Sequence, residues 1–238
     1  MTLTLTPAYT WILRNRLQER RGGARLLNAL VSLSPWAIVD GVVLDMRALN
    51  WQVAQLVSRI AKASEHEPAV KAVIRERVRA DHVALDIGAN LGLHTVSLSR
   101  AAKTVHAFEP NPLLLPALRR TLARHPNVVL HECALGEQNG RISIVAGEDH
   151  SMGQVAAGND LPIRRLDDVL SGTVHFIKID VEGYELNVFR GAERLLRDQH
   201  PTVVFEEVPQ WENTEARHHL ESLGYRCERL DERDWLAW

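Results

Sequence analysis

The chain has 238 residues, 45% of them hydrophobic and 24% charged, with a formal net charge of −2. That balance belongs to a globular protein able to bury a substantial core rather than to a disordered chain. A charge so near zero gives no general attraction to nucleic acid or to anionic membrane surfaces, so neither is expected as a partner.

Residues 1–64 read as a helix-rich N-terminal extension. Trp11, Ile12 and Leu17 alternate with Arg14, Arg16, Arg20 and Arg21, Gly22-Gly23 breaks the run, and a second apolar segment covers Leu26 to Leu33. A basic helix with an apolar face suits a membrane surface. This one is short and mixed with polar residues, so packing on the rest of the chain, or on a second copy in a homodimer, is the better expectation. Val42 to Met46 reads as an edge strand and Trp51 to Lys62 as a helix. The opening Met1-Thr-Leu-Thr-Leu-Thr-Pro7 lacks the basic start and cleavage site of a secretory signal. No apolar run reaches bilayer length, so no transmembrane segment is expected. Cys133 and Cys227 show no pairing pattern, which agrees with a cytoplasmic location.

Residues 65–238 read as one α/β domain. A helix is expected over Pro68 to Arg77, started by Glu67-Pro68. Strands follow near 82–87, 104–109, 128–132, 174–180 and 202–206, with helices near 92–101, 112–124, 185–199 and 213–223. Ile142 to Val145 reads as an extra strand. Tyr225 to Arg229 and Trp235 to Trp238 read as a closing hairpin. Strands alternating with helices predict a mainly parallel sheet covered on both faces.

The most informative stretch is Leu85-Asp86-Ile87-Gly88-Ala89-Asn90-Leu91-Gly92, a strand running through a glycine turn into a helix. The next strand ends in Glu109. This is the layout of a nucleotide-type cofactor site, with the second acid on ribose hydroxyls. The dinucleotide pattern places glycine where backbone must approach a pyrophosphate; here Asn90 stands there, and Asp86 closes the strand beside it. A carboxylate beside a pyrophosphate costs about 1–4 kcal/mol. S-adenosylmethionine carries a sulfonium and an ammonium, so an acidic turn favours it over NAD.

Asp86-Ile-Gly88-Ala-Asn90-Leu-Gly92, Phe108-Glu109-Pro110-Asn111-Pro112, Ala134-Leu135-Gly136 and Ile177-Lys178-Ile179-Asp180-Val181-Glu182-Gly183-Tyr184-Glu185 together resemble the FkbM family of S-adenosylmethionine-dependent methyltransferases. The resemblance covers roughly residues 65–238. It implies a class I methyltransferase fold, a Rossmann-like seven-stranded sheet whose last strand is antiparallel, and O-methylation of small molecules or sugars. It further implies cofactor contacts at Asp86, Gly88, Asn90, Glu109, Pro110, Asn111 and Asp180, with adenine held at Cys133 and Ala134.

Methyl transfer to a hydroxyl needs alignment, exclusion of water and removal of a proton. Asp180, Glu182 and Glu185 form the acidic cluster best placed for that base. Asp180 ends a strand, where ligands of such sheets bind. Lys178 and Asp180 share a face by the two-residue period. Glu206 and Glu207 end the next strand and could reach the same cleft. The competing reading is a structural ion-pair network with Lys178; it carries equal weight for Glu182 and Glu206, while Asp180 is favoured as functional. Carboxylates at strand ends are hard ligands, so magnesium at Asp180 and Glu206 stays open, and the sequence sets no metal. His94 reads as a satisfied structural histidine, His150 as a weak candidate base on a lid, and His218-His219 as surface. Two alternatives stay open: a nucleic-acid methyltransferase on the same fold, against which Val181-Glu182-Gly183 follows Asp180 in place of an aromatic-bearing Pro-Pro motif, and a non-catalytic S-adenosylmethionine-binding protein.

Overall fold

The computed structural model describes residues 36–39, 41–45, 47, 67–146, 153–207 and 215–238. The helices expected around Trp11 to Leu33 and Trp51 to Lys62, and His150, lie outside the described residues. The elements in chain order are β1 (Trp36–Val39), β2 (Val42–Asp45), α1 (Pro68–Arg77), β3 (Val83–Ile87), α2 (Leu93–Ala101), β4 (Thr104–Phe108), α3 (Leu115–Leu122) and β5 (Val128–His131). Then come β6 (Ala134–Leu135), β7 (Gly140–Ala146), β8 (Gly153–Ala157), β9 (Leu161–Arg164), α4 (Leu166–Val169) and β10 (Phe176–Ile179). The chain continues through α5 (Glu185–Gly191), α6 (Glu193–Gln199), β11 (Thr202–Glu206), α7 (Glu215–Ser222), β12 (Cys227–Arg229) and β13 (Asp234–Ala237).

Seven strands form the central sheet in the order β12-β13-β11-β10-β3-β4-β5. β3, β4, β5, β10 and β11 are parallel, and β13 runs against β11 and β12. This is the class I methyltransferase arrangement expected from the sequence. The strand order reverses between β3 and β10, so the crevice beyond their carboxyl ends is the natural ligand site.

Strand parity divides the core. Leu85, Ile87, Ile177, Ile179, Val203 and Phe205 pack with Val188, Phe189, Leu196 and Leu220 of the helices on one face. Ala84, Phe176 and Val204 pack with Val70, Ile74 and Leu98 of α1 and α2 on the other. These strands are buried on both faces, which explains their continuous apolar runs.

The strand over Val42–Asp45 is an edge strand as expected, paired with β1 in a separate two-stranded hairpin held to the domain by Arg120–Asp45 at 3.2 Å and Arg100 donating to Gly41 O at 2.9 Å. Two expectations are refined. Ile142 to Val145 belongs to a four-stranded insert, ordered β6-β9-β7-β8, apart from the main sheet. The helix over 185–199 breaks at Ala192 into α5 and α6. A Cβ on Gly191 would lie 2.0 Å from Gly136 O, so glycine there lets the insert dock against α5.

Candidate active site

The turn after β3 is built by backbone. Gly88 N and Ala89 N both donate to Phe108 O at 3.0 Å, tying the end of β3 to the end of β4. Gly88, Asn90 and Gly92 take φ of 85°, 55° and 85°. Asn tolerates this left-handed region better than most residues, which accounts for its place between two glycines. A Cβ on Gly88 would meet Asp180 O at 1.9 Å, so only glycine lets β3 and β10 end side by side.

Glu109 pins this turn to the next loop. Its Oε2 accepts from Asn90 N at 2.7 Å and its Oε1 from Asn111 N at 2.8 Å. The side chain is buried, and burial pushes its pKa from 4.5 up to about 7 despite the two N–H donors. Each oxygen keeps a further lone pair.

A cleft opens beside this carboxylate, between the carboxyl ends of the central strands and the insert. Gly88, Asn90, Glu109, Asp180 and Glu182 form its polar side. Leu114, Leu135, Ile144, Val155 and Tyr184 form an apolar wall. Pro110, Asn111, Cys133 and Ala134 also line it, and burial raises the Cys133 thiol above its ordinary pKa, which favours the thiol over the thiolate. So the residues named from the resemblance meet in one place, with one exception. Asp86 lies behind the turn, fully buried, accepting from Thr95 Oγ1 at 2.5 Å. Strand parity turns it toward α2, so Glu109 and Asp180 supply the acid that faces the cleft.

Asp180 sits at the mouth of a charged chain. Lys178 Nζ donates to Asp180 Oδ2 at 3.2 Å and lies 4.0 Å from Asp86 Oδ1. Burial pulls the lysine's pKa down, but Asp180 and Asp86 outweigh it and hold the ammonium above its ordinary value. Both expected readings, network and cleft carboxylate, therefore apply to Asp180 at once. Asp180, Glu182 and Glu206 each bring a carboxylate oxygen within 4.8 Å of the others. Glu206 is buried and paired with Arg233; burial and neighbouring Asp180 push its pKa up to about 9.

The other acids turn elsewhere. Glu185 accepts from Val181 N at 3.1 Å and Gly183 N at 3.3 Å, so it holds the turn after β10 from within. Glu207 faces α7, accepting from Arg217 N at 3.3 Å, and does not join the cluster. His94 is buried with Nε2 2.6 Å from Glu67 Oε2, the structural histidine expected. His218 is exposed. Nothing in the sequence singled out Arg233, which comes from the hairpin turn, or placed Tyr184, Ile144 and Val155 at the cleft, which they reach through tertiary packing.

Comparison with known proteins agrees with this geometry. The family model described as the methyltransferase FkbM domain matches residues 86–227, more than half of the chain. The hexuronic acid methyltransferase AglP of Haloferax volcanii is 31% identical over 147 residues, which is 58% of this chain and 61% of that protein. The chain thus matches somewhat less than two thirds of that relative's length. Methyltransferase 1 of Beauveria bassiana is 25% identical over 65% of this chain and 76% of its own. The crystal structure of methyltransferase FkbM from Methylobacillus flagellatus KT shares the fold with a TM-score of 0.53 at 16% identity, covering 80% of this chain and 56% of that one.

Proposed function

From the premise that the chain belongs to the FkbM methyltransferase family, we propose that it transfers a methyl group from S-adenosylmethionine to a hydroxyl of a small molecule or sugar. The observation that carries the reading is Glu109. Its carboxylate is fixed by two backbone N–H groups at the end of β4, with lone pairs left for a vicinal diol such as a ribose. The cleft beside it combines an apolar wall, suited to a purine, with acids suited to a cationic amino acid. The residues therefore fit the donor. Gly88 and Asn90 would let backbone approach it, Glu109 would hold its ribose, Pro110, Asn111, Cys133 and Ala134 would enclose the adenine, and Asp86 would brace the turn from behind.

Bound there, S-adenosylmethionine supplies a methyl group already activated on a sulfonium. The chain's own part is positioning and proton removal. Asp180 orients the acceptor hydroxyl and accepts its proton, while Lys178 fixes the Asp180 carboxylate through Oδ2. Glu182 and Glu206 flank the same point and complete the candidate catalytic set. Ile144, Val155 and Tyr184 keep water from the donor. The relative named as a hexuronic acid methyltransferase supports a sugar as acceptor.

Transfer of labelled methyl groups to a panel of hydroxylated glycosides and uronic acids, with calorimetric titration of the donor, tests this. Donor binding with label on a hydroxyl oxygen is expected. Tight NAD binding without binding of S-adenosylmethionine would overturn it.

A further inference from the structure

We propose that Asp180, Glu182 and Glu206 hold a divalent cation of the magnesium, manganese or calcium class at the edge of the cleft. The inference goes beyond the methyl-transfer reading; only the purpose given to the cation rests on it.

Three observations carry it. The first is spacing. The three carboxylates each bring an oxygen within 4.8 Å of the others. Oxygens on opposite sides of one cation, at about 2.1–2.6 Å each, are about 4–5 Å apart, so one ion can bridge all three. The second is an oxygen left over inside the protein. The Glu206 side chain is only 8% exposed; its Oε1 is engaged by Arg233, while its Oε2 is buried with no hydrogen-bond partner. A buried carboxylate oxygen without a donor is costly, and a cation in the cluster meets it. The third is a fourth acid: Asp234 stands across the strand pair from Glu206, so four carboxyl groups gather beside Lys178 and Arg233.

The donor set selects the metal. All three ligands are carboxylate oxygens, hard ligands that favour magnesium, manganese or calcium over zinc or copper. The scaffold suits such a site as well. Asp180 and Glu206 extend from the ends of the adjacent parallel strands β10 and β11, and Glu182 comes from the turn after β10. Three protein ligands leave coordination positions open toward the cleft, which Asp180 and Glu182 also line. Those positions fit two neighbouring oxygens of a polyhydroxylated acceptor. Under the methyl-transfer reading, the cation would fix the acceptor hydroxyl next to Asp180 and favour loss of its proton.

The test is titration of the full chain, free of methyl donor, with Mn²⁺, followed by electron paramagnetic resonance and competed with Mg²⁺. One saturable site is expected. Glu206→Gln and Asp180→Asn should each weaken it by about 10- to 100-fold or more, at least the loss seen when an outer-shell partner of a metal is removed. Glu207→Gln, which changes the acid facing Arg217, should leave it intact. Circular dichroism identifies any variant that fails to fold, and the other then decides. Absence of Mn²⁺ binding in the parent chain, or equal binding in parent and folded variants, overturns the site. A chain that binds Mn²⁺ at these residues but methylates no acceptor keeps the site and refutes the proposed function. One that binds S-adenosylmethionine but no Mn²⁺ does the reverse.

Discussion

Replacing Glu109 by Gln separates two tasks that its carboxylate performs together. Gln keeps the shape and one acceptor oxygen, but it turns an NH₂ group against one of the N–H donors now at 2.7 and 2.8 Å. Losing one hydrogen bond to a charged acceptor costs about 1.5–3 kcal/mol. In the opposite direction, burial raises the carboxyl from 4.5 to about 7, so at neutral pH the folded chain carries about 3 kcal/mol of destabilisation that an amide does not. The two effects nearly cancel. A net change of about 1 kcal/mol moves the melting temperature by about 2–4 °C in a chain of this size, so the donor-free variant should melt close to the parent. Donor affinity has no such compensation. Loss of the charged acceptor at the ribose should weaken it by about 1.5–3 kcal/mol, or about 10- to 150-fold in Kd. Scanning calorimetry and titration with S-adenosylmethionine measure both quantities on one preparation. A fall in melting temperature of about 10 °C with unchanged affinity would refute the reasoning, since the carboxylate would then only pin the turn.

Asp180→Asn should slow methyl transfer by about 10²- to 10⁴-fold, measured as single-turnover rate with bound donor. Near-normal turnover in that variant beside a dead Glu206→Gln would move the base to Glu206. Gly88→Ala forces alanine into φ 85°, which costs about 1–2 kcal/mol, and sets its Cβ 1.9 Å from Asp180 O, so the denaturant midpoint should fall by more than the backbone cost alone. A midpoint equal to the parent's would show that β3 and β10 can separate freely. Glu109 and Glu185 are both raised from 4.5 to about 7 by burial, so the folded chain binds protons there that the unfolded chain releases. Their contribution is complete below about pH 4.5 and is lost as pH rises to about 7. Urea unfolding of the parent and of Glu185→Gln at pH 5 and pH 8 should therefore show the variant gaining stability relative to the parent as pH rises; a difference between the two that does not change with pH would contradict it.

Local signals carried most of the fold. The helix over Pro68 to Arg77 and the strand over Thr202 to Glu206 lie where the sequence places them, because each has its own boundary residues and its own period. The turn from Gly88 to Gly92 was legible for the same reason, as was Glu109 at the end of the following strand. What stayed hidden depends on partners distant in the chain. β6 has two residues and β9 contains Pro162, so neither reads as a strand until they pair with each other. The burial of Asp86 follows from the identity of the helix on its face, which no stretch of sequence states. The close approach of Gly191 to Gly136, which lets the insert dock on α5, joins positions more than fifty residues apart.

The insert between β5 and β10 leaves and re-enters the chain at nearly one point. β6 lies beside β9, with Gly136 N donating to Arg164 O at 2.9 Å, so the ends of the excursion over 134–164 are already joined. A segment closed at its base adds little loop entropy to the rest of the domain, whatever its length. The wall of Ile144 and Val155 can therefore be exchanged for another as a single graft, cut at Ala134 and Arg164. The turn at Gly88, the Glu109 carboxylate and the Lys178–Asp180 pair would stay outside the exchanged piece, so the acidic side of the cleft and the apolar wall facing it are separable by surgery at two peptide bonds.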